Sequence, residues 1–178
     1  MVDTRKVNAS GPMRRSRDAG FSFLEMLAVI TILATLGVLV VPHLSDSHTN
    51  KLRAAAELFV ADCEYAQAES IAHGDDLRMV TIASPTKYFI SASSALTTPI
   101  IDPVTKGAYS VTYGSGRANM LSDVTISSNL VNTARFGFGV YGELTQLTDV
   151  IITLSCGGST CVVTIKAPSG QAIIGAIN

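Results

Sequence analysis

The hydrophobic pattern of this chain changes its period twice along its length. Residues 21–41 form an apolar run that carries a single charge, Glu25. At 1.5 Å per residue a helix of this length extends about 31 Å, roughly the hydrocarbon thickness of a bilayer. The run is longer than the apolar part of a secretory signal, and no Ala-x-Ala-like site follows it. The pattern therefore predicts a membrane-spanning helix.

A second helical pattern follows Pro42, with small and medium apolar side chains recurring every three or four residues. This stripe comprises Leu52, Ala55, Ala56, Phe59, Cys63, Ala66, Ser70 and Ile71. The charged side chains are predicted to lie mostly elsewhere on the helix: Lys51, Arg53, Glu57, Asp62, Glu64 and Glu69. Pro42 removes one backbone donor, and because the helical pattern resumes beyond it we expect a kink there rather than a helix end. Gly74 is expected to terminate the helix.

Beyond Gly74 the chain becomes rich in Val, Ile, Thr and aromatic residues, in short runs bounded by turn-forming residues. Such runs are typical of an antiparallel β assembly. Eight strands are predicted, at residues 77–83, 87–92, 108–113, 124–127, 135–141, 150–155, 161–166 and 172–176. The longest predicted loop is 93–107.

The net charge of −1 conceals an asymmetry between the two ends of the chain. The first 20 residues carry five basic and two acidic side chains, whereas the remaining 158 carry eight basic and twelve acidic ones. A basic segment before an apolar helix stays on the cytoplasmic side, so the region after residue 41 is predicted to be periplasmic. A mildly acidic domain argues against nucleic acid as a partner.

Glu25 is the most informative residue, because an ionised side chain in hydrocarbon costs about 2.5–3.5 kcal/mol even on lenient insertion scales. It follows a small residue, Gly20, and an aromatic one, Phe21. The stretch 20–25, GFSFLE, set directly against the apolar run, resembles the prepilin processing motif of type IV pilins and type II secretion pseudopilins.

The resemblance implies that prepilin peptidase cuts between Gly20 and Phe21 and N-methylates Phe21. It also implies that Glu25 attracts the Phe21 ammonium of a neighbouring subunit, which offsets the burial of both charges and fixes the register between helices. Pro42 lies where pilin-like proteins often carry a proline, and the resemblance implies that it lets the helix melt slightly when subunits pack. The alternative for Glu25 is a position at the lipid headgroups without a partner.

The order of elements resembles the H-type minor pseudopilin and FimT-type minor pilin family over nearly the whole chain. The matching segments are residues 20–42, 58–82, 136–142, 151–154, 162–165 and 169–170. The implied fold is α+β: a long N-terminal helix, with a transmembrane half and an amphipathic half, packed on an antiparallel two-sheet β-sandwich.

Four segments follow from this reading. Residues 1–20 are a cleaved basic leader, 21–42 the transmembrane and assembly helix, 43–74 the amphipathic helix, and 75–178 a β-rich periplasmic domain. An internal translation start at Met13 is the alternative to a 20-residue leader.

Cys156 and Cys161 flank a four-residue segment between two predicted strands. A hairpin loop of that length can bring its flanking residues within disulfide distance, and an exported domain is in an oxidising compartment. We therefore expect a disulfide there. Two cysteines without a nearby histidine are too few for a metal site, and Cys63 is expected to be a buried apolar residue.

No catalytic constellation is recognisable, so the chain is not expected to be an enzyme and no cofactor is expected. His43, His48 and His73 do not have the spacing of a nucleophile, base and acid. Asp75, Asp76 and Asp102 are interpreted as solvated turn residues rather than calcium ligands, since calcium needs about 6–8 converging oxygens.

FimT-type relatives that bind DNA are known for arginines near the C-terminus, around a Gly-Arg-type motif. The corresponding segment here has Gln171 and only Lys166 nearby, which argues against DNA uptake.

The first functional hypothesis is accordingly a minor pseudopilin of a type II secretion system. It would be a single-pass protein of the inner membrane with a cytoplasmic leader, and its partners would be prepilin peptidase and other pilin or pseudopilin subunits. The alternative is a FimT-like minor pilin that acts in pilus assembly or DNA uptake. A third reading is an unrelated single-pass envelope protein with an uncleaved leader.

Overall fold

The structure is a computed structural model that describes residues 22–131 and 134–178, without the side chains of residues 36–46. The described part contains one long helix, one short 3₁₀ helix at Gly116–Leu121 and eight strands. These are α1 Phe23–His73, β1 Arg78–Ser84, β2 Lys87–Ala92, β3 Ser110–Thr112, β4 Thr125–Ser128, β5 Arg135–Phe138, β6 Val150–Cys156, β7 Ser159–Ile165 and β8 Ala172–Ile177. Each predicted strand is present, with ends displaced by a few residues.

The chain divides into two compact units, Met1–Val41 and Pro42–Asn178. The second unit contains two four-stranded antiparallel sheets, in the orders β3-β2-β1-β5 and β4-β6-β7-β8. A helix with two antiparallel sheets is the predicted α+β fold, and this prediction is confirmed.

The stripe of α1 packs into the core of the second unit. Its buried members are Leu52, Ala55, Ala56, Phe59, Cys63, Ala66 and Ser70. Phe59 is the largest of them, and its ring meets the Tyr88 ring edge-on at a centroid distance of 5.1 Å. The prediction was wrong for Ile71, which is 53% exposed. Ser70, the residue before it, is buried, and each residue of a helix is rotated by about 100° from its predecessor. This rotation places Ile71 at the edge of the buried stripe.

In the second sheet, buried and outward-facing side chains alternate along β6 and β7, which is the pattern that predicted these strands. Along β6 and β7 every second side chain points into the core while the intervening ones face outward. The inward-facing residues are Val150, Ile152, Leu154, Cys156, Cys161, Val163 and Ile165.

Gly74 terminates α1 as predicted. Its φ of +50° lies in the left-handed region, and its N–H donates to the carbonyl of Ser70 at 2.9 Å. Glycine adopts this conformation without the steric cost that a Cβ brings.

The turn between β6 and β7 differs from the prediction. It has two residues rather than four, because Cys156 pairs with Ser159 across a Gly157-Gly158 turn. Both glycines have positive φ, +57° and +90°, as a tight hairpin turn requires. Cys161 is consequently opposite Leu154 and only diagonal to Cys156.

Diagonal positions on neighbouring strands are about 7–8 Å apart, whereas a disulfide needs Cα atoms within about 4.4–6.8 Å. Cys63, Cys156 and Cys161 are all free and buried. The disulfide was expected because a four-residue loop would place Cys156 directly opposite Cys161. The two-residue turn does not place them opposite each other, so that geometric argument does not hold.

Candidate functional site

The first turn of α1 presents Glu25. The carbonyl of Ser22 accepts hydrogen bonds from the N–H groups of Glu25 at 3.0 Å and Met26 at 3.1 Å, which makes Ser22 the N-cap residue. Glu25 then occupies the third helical position, where a negative charge is stabilised by about 0.3–1 kcal/mol through the helix dipole. Glu25 is also exposed, so its carboxylate is accessible to a partner.

Large apolar side chains cover α1 on every side near this carboxylate. Their exposed fractions range from 45% for Val29 to 84% for Phe23. The set comprises Phe23, Leu24, Met26, Leu27, Val29, Ile30, Ile32 and Leu33. A helix that is apolar all round is stable only when something apolar covers it, either a protein core or a membrane. Within the part of the chain that the structure describes, no helix combines the length and mean hydropathy of a membrane-crossing segment.

The other predicted residues of the motif are not placed. Gly20 and Phe21 lie outside the described residues, as does the rest of the leader. Helix α1 includes Pro42 within its bounds, but the side chain of Pro42 also lies outside the description. The cleavage between Gly20 and Phe21 and the kink at Pro42 stay predictions.

A buried carboxylate that the sequence analysis assigned to the polar side of the helix is central to the second unit. Asp62 is only 3% exposed. Its Oδ2 accepts hydrogen bonds from Tyr88 Oη at 2.6 Å and from an Arg117 Nη at 2.5 Å, while its Oδ1 accepts one from Tyr109 Oη at 3.0 Å. The Arg117 guanidinium also lies 4.8 Å from the centre of the Tyr109 ring.

Burial dominates the electrostatics of this cluster. Desolvation raises the pKa of Asp62 above its usual range, although Tyr88, Arg117 and Tyr109 all act in the opposite direction. Desolvation and the neighbouring Asp62 charge raise the pKa of Tyr109 from 10.0 to about 12. A signal for Asp62 did exist in the sequence, since it lies three residues after Phe59 and four before Ala66, within the buried stripe.

A groove of about 440 Å³ opens beside this cluster. Helix α1 forms one wall with Leu58 and Tyr65, and the loop before β3 forms the other with Pro103 and Val104. Arg117 also lines it. The surface of the groove is therefore mostly apolar, and its charged lining residues are Asp62, Asp102 and Arg117.

A second contact joins α1 to the β6–β7 hairpin. The His48 Nδ1 lies 3.3 Å from the Cys156 Sγ. One turn further along α1, Lys51 forms an ion pair at 2.6 Å with Asp123, which lies just before β4. Desolvation raises the pKa of the Cys156 thiol, which disfavours the reactive thiolate. Within residues 22–131 and 134–178, no three His, Cys, Asp or Glu side chains are grouped to hold a metal ion.

The C-terminal segment that includes Lys166 and Gln171 carries little free positive charge. Lys166 Nζ lies 2.7 Å from Asp149 Oδ2, and the same carboxylate accepts the Ala167 N–H at 2.9 Å. Lys166 and this N–H hold the pKa of Asp149 below its usual range. Gln171 lies just before β8.

Comparison with known proteins gives a match for the N-terminal segment and a match for the fold. Residues 15–41 match the prokaryotic N-terminal methylation motif. Two crystal forms of the type IV minor pilin FimU of Pseudomonas aeruginosa have a similar fold. One is 16% identical, with a TM-score of 0.50 over 70% of this chain and 93% of FimU. The other is 14% identical, with a TM-score of 0.51 over 72% of this chain and 90% of FimU.

The chain is pilin-like. At these identities the FimU structures establish the fold alone, and the methylation motif establishes the kind of N-terminus. No curated protein sequence matches the chain.

Proposed function

We propose that this pilin-like chain is a minor pseudopilin of a type II secretion system. Prepilin peptidase would remove residues 1–20, and the apolar helix would hold the subunit in the inner membrane until it joins a short periplasmic filament. The observation that carries this proposal is Glu25, an exposed carboxylate within a methylation motif and among eight exposed apolar side chains.

The chemistry of assembly follows from that arrangement. Cleavage after Gly20 creates an ammonium on Phe21, four residues before Glu25. In a medium of low dielectric constant each charge alone is costly, and pairing between neighbouring helices offsets the cost for both. The apolar side chains around Glu25 then become buried against other subunits.

The type II secretion branch is favoured by the C-terminal region. Lys166 is already paired with Asp149, and Gln171 stands where an arginine would serve DNA binding. The segment after residue 20 has a net charge of −4, which repels a polyanion.

A FimT-like minor pilin of a type IV pilus is the second candidate function. One specific observation favours it, the structural similarity to FimU, which is itself a type IV minor pilin. The two candidates share processing and assembly and differ in the filament that they serve.

The test is a gene deletion complemented with wild type, Glu25→Ala or Glu64→Ala, scored for exoprotein secretion, pilus-dependent motility and DNA uptake. Glu64 is an exposed glutamate further along the same helix and serves as the matched control. We expect secretion to fail with Glu25→Ala and to be restored by Glu64→Ala. Loss of motility or DNA uptake with normal secretion would assign the chain to the type IV pilus instead.

Processing is tested separately by mass spectrometry of the N-terminus from cells with active prepilin peptidase. The expected product begins at N-methylated Phe21. A chain that retains residues 1–20 would contradict both candidate functions.

A further inference from the structure

One carboxylate in the groove beside Asp62 has no counter-charge in contact with it. Asp102 is 8% exposed, and its Oδ1 accepts the N–H groups of Val104 at 2.8 Å and Thr105 at 3.3 Å. Among the described residues, no donor lies within hydrogen-bond distance of Asp102 Oδ2 and no cation lies within 4.0 Å of the carboxylate. Yet Asp102 lines the groove, so Oδ2 is the polar group still available there.

The other charges of the groove neutralise one another. Arg117 forms its ion pair with Asp62, which is also bonded by two tyrosine hydroxyls. Asp102 is ionised at neutral pH, because hydrogen bonds from the Val104 N–H and then from Thr105, and more weakly the Arg117 charge, hold its pKa below the usual range. The groove therefore has an unbalanced charge of about −1, located on Asp102.

The walls around Asp102 are apolar. Leu58 and Tyr65 on the helix face Pro103 and Val104 on the loop. At the rim, Val104 is 85% exposed, and Ile101 on the same loop is exposed as well. An occupant that fits has an apolar stem and a cationic end, which is the chemistry of a lysine or arginine side chain.

We propose that this groove receives a lysine or arginine side chain from an extended segment of a neighbouring subunit. The cationic head binds Asp102 Oδ2, and the aliphatic stem packs against Leu58 and Val104. A polypeptide occupant is favoured over a free amine, because the flanks of a bound chain would also cover Ile101 and the exposed Val104. That the neighbour is a pilin-like subunit rests on the proposed function, whereas the charge and shape of the groove do not.

The experiment measures peptide binding to the purified full chain in detergent by fluorescence anisotropy. The probe is a labelled Ala-Leu-Lys-Leu-Ala peptide with blocked ends, and its control has norleucine in place of lysine, which keeps the stem and removes the charge. We expect the lysine peptide to bind at least about tenfold more tightly than the norleucine peptide.

Two variants locate the binding. Asp102→Asn keeps an Oδ1 acceptor for the loop N–H groups but removes the charge, and it should reduce the preference for lysine by about tenfold. Asp75→Asn removes the same charge from an exposed turn and should leave the preference unchanged. Ala61→Leu adds volume at an exposed groove position and should abolish binding of both peptides without lowering the thermal midpoint.

Equal binding of the two peptides, an Asp102→Asn variant that keeps its preference for lysine, or absence of saturable binding would each overturn the proposal. Because the assay needs neither processing nor assembly, such a failure is distinguishable from a failure of Glu25→Ala to affect secretion.

Discussion

The phenol of Tyr88 on β2 donates a hydrogen bond of 2.6 Å to the carboxylate of Asp62 on α1, and both side chains are buried. Tyr109 and Arg117 donate to the same carboxylate. One acidic side chain thus joins the helix to the first sheet and to the 3₁₀ helix. Its cost of burial is offset because every donor points at it.

Asp62→Asn should destabilise the protein more than the change of one atom suggests. The amide keeps one oxygen acceptor but places an NH₂ donor where the other oxygen stood, so that at least one of the three donors then faces another donor. We expect the free energy of unfolding to fall by about 2–3 kcal/mol. Chemical denaturation of the full chain in detergent, followed by circular dichroism, measures it. Asp123→Asn, which removes an exposed carboxylate, is the control, and an equal loss in both variants would contradict the role of Asp62.

The stability of the protein should decrease at alkaline pH because of Tyr109. Its folded pKa is about 12 against an ordinary value of 10.0, so the native state keeps the proton after the unfolded state has lost it. The contribution is fully present below pH 10 and is lost as the pH rises towards 12. Tyrosinate absorbance in wild type and Tyr109→Phe gives the difference spectrum. Ionisation of Tyr109 near pH 10 in the folded protein would refute this.

The two glycines of the β6–β7 turn should differ in their tolerance of alanine. Both have positive φ, so either substitution costs about 1 kcal/mol in backbone strain. A Cβ on Gly157 would also lie 2.7 Å from the His48 ring, whereas one on Gly158 would meet nothing within 4 Å. Gly157→Ala should therefore lower the thermal midpoint more than Gly158→Ala.

A second substitution makes this comparison decisive. His48→Ala removes the ring that the added methyl group of Gly157→Ala would strike. In that background Gly157→Ala should destabilise the protein no more than Gly158→Ala destabilises wild type. If the cost of Gly157→Ala is the same with and without His48, the contact between α1 and this hairpin is not the cause.

Ser70→Ala should be costly although it only removes a hydroxyl. The Ser70 Oγ donates to the carbonyl of Phe138 at 2.9 Å and accepts the N–H of Arg78 at 2.6 Å, in a buried position. Alanine leaves both backbone groups without this partner, and we expect a loss of about 2–3 kcal/mol in unfolding free energy. Ser127→Ala, on the exposed side of β4, should change it by less than about 0.5 kcal/mol.

The helix and the strands could be predicted from the sequence because their hydrophobic pattern repeats over several residues. Alternation in β6 and β7 and the three- and four-residue spacing of the α1 stripe each contain several concordant residues, so one exception does not change the prediction. Asp62 was missed because a charged side chain is normally counted on the solvent side, and its three donors come from β2, the loop before β3 and the 3₁₀ helix. These hydrogen bonds form only in the tertiary structure, and the local pattern of polar and apolar residues does not show them.

The turn between β6 and β7 shows a different kind of error. Gly157-Gly158 is itself a strong signal for a two-residue turn, but the following Ser159 and Thr160 were counted as loop. A displacement of two residues was enough to separate Cys156 from Cys161. The groove had no local signal at all, because its walls are distant in the chain.

The polar attachments of α1 in the second unit also determine how this subunit would respond to force. Asp62, Gln67 and Ser70 lie at successive heights on the helix and bond to different parts of the β domain, Gln67 through the Gly142 carbonyl at 2.6 Å. Rotating the helix by one residue, about 100°, would break all three attachments together. Tension applied along the helix would therefore be shared by the first sheet and the turn at Gly142, so that this part of the subunit yields as one mechanical element.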